Sequence, residues 1–212
     1  MAGELWSFVS SQDELREIVG EPAQRVAEKV RDRLHPMDLA FLATSPFWAM
    51  ATASADGRCD VSPRGDPAGS SVVVLSETTI ALAERPGNRR ADGFRNLLTN
   101  PHVGLLFVVP GRGDTLRVNG RGRLVREAPF FDDMVVQGHR PRLALVVETE
   151  EIFFHCSKAF LRAGLWSPDD WPDEDELPSR AQIAQALERP DETLEALTEY
   201  YGPSYAGRLY RG

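Results

Sequence analysis

The chain has 212 residues, with 24 Lys and Arg against 32 Asp and Glu, a formal net charge of −8. An apolar content of 42% with 26% charged residues fits a globular protein and excludes a disordered chain. No long basic run supports binding to nucleic acid or to an acidic membrane surface, and the longest apolar stretch, near residues 103–109, is far short of the roughly 20 residues that a membrane span needs. The charge is uneven: residues 1–166 hold 20 basic and 21 acidic side chains, and residues 167–212 hold 4 and 11. Of the basic residues only Lys29 and Lys158 are lysines. Cys59 and Cys156 lie in no metal or redox spacing, and the first residues carry an early acid and no long apolar region. Together these point to a reduced, cytoplasmic setting.

The elements follow in chain order. Ser11 with Glu14 makes a capping box for a helix over 11–19, and Gly20 stops it. Val26, Val30 and Leu34 predict a second helix over 23–34. Residues 47–55 read as a strand that ends at Asp56-Gly57, a hairpin signal, with 58–62 as its partner. Two short strands follow at 72–75 and 79–83. Ala91, Phe94, Leu97 and Leu98 predict a helix over 89–98, which Asn100-Pro101 ends. Residues 102–109 form an apolar strand, and a turn at 111–114 leads into an alternating strand over 115–126. Pro129 opens a short helix over 129–137. Residues 143–154 form a long strand, with Leu145, Val147 and Phe153 expected on one face. After Trp166 an acidic, proline-bearing linker leads to two helices over 179–188 and 191–201, whose apolar positions include Ile183, Leu187, Leu194 and Leu197. Six or seven strands broken by short helices predict a mostly β fold with flanking helices, antiparallel rather than parallel.

The stretch with most chemistry is Ala83-Glu84-Arg85-Pro86-Gly87-Asn88-Arg89-Arg90. A strand ends, Pro-Gly turns the chain, Asn88 stands at an expected N-cap, and two arginines fall in the expected first helical turn. Cations are unfavourable at that end of a helix dipole. Guanidinium forks and unpaired N–H groups together suit a phosphate, so an anion between Arg89 and Arg90 would account for them. The bland alternative is a solvated basic turn in an arginine-rich chain.

Pro86-Gly87-Asn88-Arg89-Arg90, followed by a helix and Asn100-Pro101-His102-Val103-Gly104-Leu105-Leu106-Phe107, resembles the central segment of the pyridoxamine 5′-phosphate oxidase-like flavoproteins. Leu116-Arg117-Val118-Asn119-Gly120-Arg121-Gly122-Arg123-Leu124 resembles their next strand. Asp60-Val61-Ser62-Pro63-Arg64-Gly65-Asp66 resembles a turn in one branch of that superfamily. The resemblance covers roughly residues 40–166 and implies a split β-barrel over 37–166. Helices over 1–36 would pack on it, and the acidic segment 167–212 would belong to the same unit. It also implies FMN held in a cleft of a homodimer and an oxidoreductase acting on a small molecule.

Carried over residue by residue, the resemblance gives Arg89 and Arg90, with Asn88 beside them, to the FMN phosphate. Ala83 and Glu84 would lie along the flavin, and Arg64 would reach the phosphate or ribityl chain. Thr115 would stand near the ring, where the oxidase proper has Gln. Lys158 and Trp166 lie in a segment that resembles the branch's closing stretch. Arg117 or Lys158 would stabilise a reduced, anionic flavin. After Trp166 the chain lacks the strand with paired Trp and Arg that completes the oxidase's own substrate site. A non-enzymatic flavin-binding protein, or a split barrel that binds F420 or haem, is the alternative.

Other constellations point to structure. His155 and Cys156 are adjacent on the predicted strand and so would face opposite ways. His35, His102 and His139 show no metal spacing, and Glu148, Glu150 and Glu151 read as a solvated strand edge.

Overall fold

Alternating side chains build the sheet. In the computed structural model, which describes residues 6–173 and 176–210, strands β1 (Phe47–Ala53) and β2 (Cys59–Gly65) form a hairpin around Asp56-Gly57. β3 (Val72–Ser76) and β4 (Thr79–Ala83) form a second hairpin. β5 (His102–Val108), β6 (Thr115–Val125) and β7 (Ala144–His155) complete an antiparallel sheet in the order β2-β1-β5-β6-β7-β4-β3. This is the expected split-barrel architecture. The sheet is not closed: β2 and β3 remain its edges. Pro63, which cannot donate to a ladder, stands on edge strand β2.

One face of the curled sheet carries the core. Trp48, Met50, Val103, Leu105, Phe107, Leu116, Val118, Leu145 and Val147 alternate inward and are buried. The alternation along β7 then breaks. Asn119 pairs with Glu151 but Gly120 pairs with Thr149, so Glu150 is an extra, bulged residue. The bulge reverses the faces beyond it. Ile152 is fully buried, and Phe153 leaves the face of Leu145 and Val147 on which the sequence had placed it. Gly120 is required there, because a Cβ would stand 2.0 Å from the Glu148 carbonyl oxygen.

The chain divides into two compact units, Met1–Val30 and Arg31–Gly212. In the first, α1 (Gln12–Val19) has the expected Ser11 cap and ends at Gly20. The predicted helix over 23–34 is reduced to α2 (Gln24–Ala27). In the second unit Arg31 exchanges two backbone hydrogen bonds with Ile152. Its guanidinium forks onto buried Asp38 at 2.5 and 2.9 Å. Asp38 also accepts from the His35 N–H and so opens α3 (Pro36–Thr44), a helix absent from the sequence reading.

α4 is shorter than predicted, spanning Asp92–Leu97. The helix expected over 129–137 is a 3-10 turn over Pro129–Met134, whose Phe131 and Met134 fill a second small core with Ala81 and Ala144. α5 (Lys158–Arg162) follows β7. α6 (Arg180–Leu187) and α7 (Leu194–Tyr200) pack through Ala181, Ala184 and Leu197. Leu187, expected on the apolar side, is 79% exposed.

Candidate functional site

The ends of β2 and β4, the loop between β4 and α4, and the start of α4 enclose a cleft of about 730 Å³. Along edge strand β2 and into the residue after it, Ser62, Arg64 and Asp66 are half-buried while Val61 and Pro63 are exposed, so alternation turns the first three toward the cleft. From the end of β4 comes Ala83, followed by Glu84, which is fixed by its N–H donating to the Leu143 carbonyl. Asn88, Arg89 and Arg90 line the same cleft, so six of the predicted residues meet here, with Arg64 among them.

The loop is built differently from the expectation. Ala91, not Asn88, is the N-cap residue of α4, so Arg89 and Arg90 precede the helix. The Asn88 side chain instead accepts from the Arg90 N–H at 3.1 Å, an Asx-type turn. Arg89 and Ala91 both adopt left-handed backbone, with φ of 62° and 54°. Each costs on the order of 1–2 kcal/mol for a residue with a Cβ. Two such residues around one cleft mark a loop held against its local preference.

The polar interior of the cleft is incompletely paired. Among the described residues, three buried side-chain atoms lack a hydrogen-bond partner: Ser62 Oγ, Arg64 Nε and Ser71 Oγ. All three residues line this cleft. Burial pushes the Arg64 guanidinium below its usual range, against the opposing pull of Glu84 and then Asp60. The guanidinium also lies over the Phe94 ring, 4.7 Å from its centre. Arginine keeps its proton at neutral pH, so this is a half-buried positive charge with an unused N–H. Two hydroxyls and a desolvated guanidinium match the acceptor oxygens of a phosphate group.

Sequence reasoning missed the brace behind the cleft. Arg85 Nε donates to Asp66 at 2.5 Å, and Arg85 Nη2 donates to the Met134 carbonyl at 2.8 Å. Both side chains of the pair are nearly buried, at 12% and 4% exposure. Tyr210 donates its hydroxyl to the other Asp66 oxygen at 2.8 Å. The alternating Ser62, Arg64 and Asp66 carried a readable signal, a polar inward face on an edge strand. The Tyr210 contact spans 144 positions and left none.

The remaining predicted residues lie elsewhere. Thr115, Arg117 and Lys158 line a second cleft of about 600 Å³, floored by Ala49, Ala51, Gly104 and Leu106. Arg117 lies over the Phe153 ring, 4.9 Å from its centre. His155 and Cys156 line this cleft together, contrary to the expectation of opposite faces, because β7 ends at His155 and Cys156 lies beyond the alternating run. Val61 borders both clefts. Trp166 lines neither: its Nε1 donates to the Arg112 carbonyl at 2.7 Å, and its ring meets Phe160 edge-on. No cluster of three or more His, Cys, Asp or Glu among the described residues is arranged to hold a metal, and no described helix is long and apolar enough to cross a membrane.

Residues 34–156 match the family model described as pyridoxamine 5′-phosphate oxidase. No curated protein matches the sequence. Among solved structures, the chain is similar to HupZ of Group A Streptococcus, at 16% identity over 57% of this chain and 94% of that one, with a TM-score of 0.46. It is also similar to a putative pyridoxamine 5′-phosphate oxidase from Lactobacillus delbrueckii, at 19% identity over 58% and 95% of the two chains, TM-score 0.45. General Stress Protein 26 from Bacillus anthracis aligns at 12% identity over 55% and 88%, TM-score 0.42.

Proposed function

The chain belongs to the pyridoxamine 5′-phosphate oxidase family, and from that premise we propose that it binds FMN as a homodimer and acts as an oxidoreductase on a small molecule. The single observation that carries this reading is the unpaired set Ser62 Oγ, Arg64 Nε and Ser71 Oγ in one cleft. The FMN phosphate would take these donors, with Arg89 and Arg90 from the adjoining loop and Ala83 and Glu84 beside the ribityl chain.

The second cleft is the half of the site that would cover the ring, presented by the partner copy. Its floor and rim include an apolar strip: Ala51 is exposed, Val61 is 68% exposed and Ala49 is half-buried. Such a strip calls for a covering surface. Thr115 would orient the ring, and Arg117 and Lys158 would place positive charge beside its pyrimidine end. Bound flavin supplies hydride or single-electron transfer, and the chain contributes binding, orientation and charge.

Reconstitution tests the reading. Purified protein is incubated with FMN, F420 or haem and passed through a desalting column, and the retained chromophore is measured. Retention of FMN in a one-to-one ratio with protomers is expected. Retention of only F420 or haem, or of none, would overturn the assignment. NADH and NADPH reduction of the FMN-loaded protein, with acceptor screening, then separates an enzyme from a carrier.

A further inference from the structure

A second basic cavity lies directly beside the first. It encloses about 500 Å³ and is walled by Arg85, Arg89, His139, Arg140, Arg142 and Tyr210. It shares Glu84, Arg85, Pro86, Gly87 and Arg89 with the first cleft, whereas His139, Arg140, Arg142 and Tyr210 line it alone of the two. Among the described residues Glu84 is the single acid in its wall, and that charge acts on Arg64 in the neighbouring cleft.

The walls are firmly built. Residues 136–139 form a tight hairpin in which Gln137 and Gly138 both have positive φ and Val136 and His139 exchange two backbone hydrogen bonds. This is the geometry of a type I′ turn. It leads directly into Arg140, which is clamped by Asp132 at 2.7 Å and Glu127 at 2.7 Å and lies over the buried ring of Phe131. On the opposite side Arg85 is clamped by Asp66 and the Met134 carbonyl. Tyr210 stacks on His139 with ring centres 5.7 Å apart and ties the end of the chain to Asp66.

The charges of Arg85 and Arg140 are therefore balanced by carboxylates. Arg89 and Arg142 are exposed, and neither has an ion pair or side-chain hydrogen bond among the described residues. Two uncommitted guanidiniums across a rigid cavity suit a multiply charged anion with several acceptor oxygens. Arg89 sits at the boundary and reaches both spaces.

We propose that this cavity is a second phosphoryl-binding site, distinct from the flavin phosphate cleft, for a diphosphate-bearing nucleotide or the second phosphate of a dinucleotide. The shared chemistry is a phosphoryl group held by Arg89 and Arg142 against the Arg140 and Tyr210 wall.

Calorimetric titration of inorganic pyrophosphate into the full chain tests the site, using wild type, Arg142→Ala and Arg64→Ala. Arg142 is exposed and makes no such bond, so its removal leaves the fold intact. Loss of one charge-assisted contact corresponds to about tenfold weaker binding or more. The expected result is a binding component that Arg142→Ala weakens by that factor and Arg64→Ala leaves in place. Binding that is absent, or that follows Arg64 and ignores Arg142, would overturn the site. Titration of FMN and FAD into wild type and Arg142→Ala then separates the two sources. An FAD preference of about tenfold that disappears in Arg142→Ala identifies a dinucleotide. Equal affinities with an Arg142-dependent pyrophosphate component identify a separate nucleotide ligand. Failure of flavin binding alone would defeat the proposed cofactor and leave the Arg142-dependent component standing.

Discussion

At the residue scale, Arg64 concentrates the argument. The sequence placed it only loosely, on a turn, while giving the phosphate to Arg89 and Arg90. The structure leaves those two in a solvent-exposed loop and half-buries Arg64 beside two unpaired hydroxyls. Which arginine is desolvated depends on what packs over it, here Phe94 from α4, and no local pattern records that. Asn88 failed as a cap for a related reason, since the left-handed backbone of Arg89 and Ala91 delays the helix.

Tyr210 yields a pH prediction at the same scale. Burial first, then the hydrogen bond to Asp66 and its charge, raise the phenol above its ordinary value of 10.0, while Arg85 acts the other way. A raised phenol pKa means that the contact is intact below the ordinary tyrosine range and is lost as pH rises through the higher, folded-state value. A phenolate-absorbance titration of wild type minus Tyr210→Phe should show one group ionising above the ordinary range. Ionisation at or below that range would refute the buried contact.

At the element scale, apolar runs and turn signals, with clear alternation over 115–126, made all seven strands legible, and the Asp56-Gly57 hairpin came out at the expected place. Period alone could not reveal the bulge at Glu150, which needs the partner strand to define it. Replacing Gly120 by Ala forces a methyl against the Glu148 carbonyl and should destabilise the protein by about 3 kcal/mol, lowering Tm by on the order of 10 °C. A thermal melt unchanged within a degree would mean that the bulge relaxes freely. The helix over 23–34 was misread because Val26, Val30 and Leu34 have helical spacing, yet Arg31 pairs with Ile152 and Asp38 instead. Tertiary partners overrode a short periodic signal.

At the scale of the whole molecule, the predicted site residues other than Trp166 divide between two clefts that meet only at Val61. Alternation tells which residues of an edge strand share a face, but not which cleft that face lines. If a second copy covers the outer cleft, Val61→Asp places a charge in the interface and should shift the protein from dimer to monomer in sedimentation. Flavin affinity should fall with it. A monomeric wild type with full flavin affinity would contradict the two-copy site. The acidic excess beyond residue 166 lies largely in residues 167–179, with six acids and no base, ahead of α6 and α7, whose small core of Ala181, Ala184 and Leu197 is their own.

The central claim is that the cleft around Arg64 holds a phosphate. Fluorescence-quenching titrations with FMN and with riboflavin, which lacks the phosphate, isolate that group, and the same pair in Arg64→Ala completes a double-mutant cycle. The account predicts that wild type prefers FMN by about 100-fold and that Arg64→Ala removes about tenfold or more of that preference while riboflavin binds as before. Equal affinity of wild type for the two flavins, or an FMN preference that survives intact in Arg64→Ala, would contradict it.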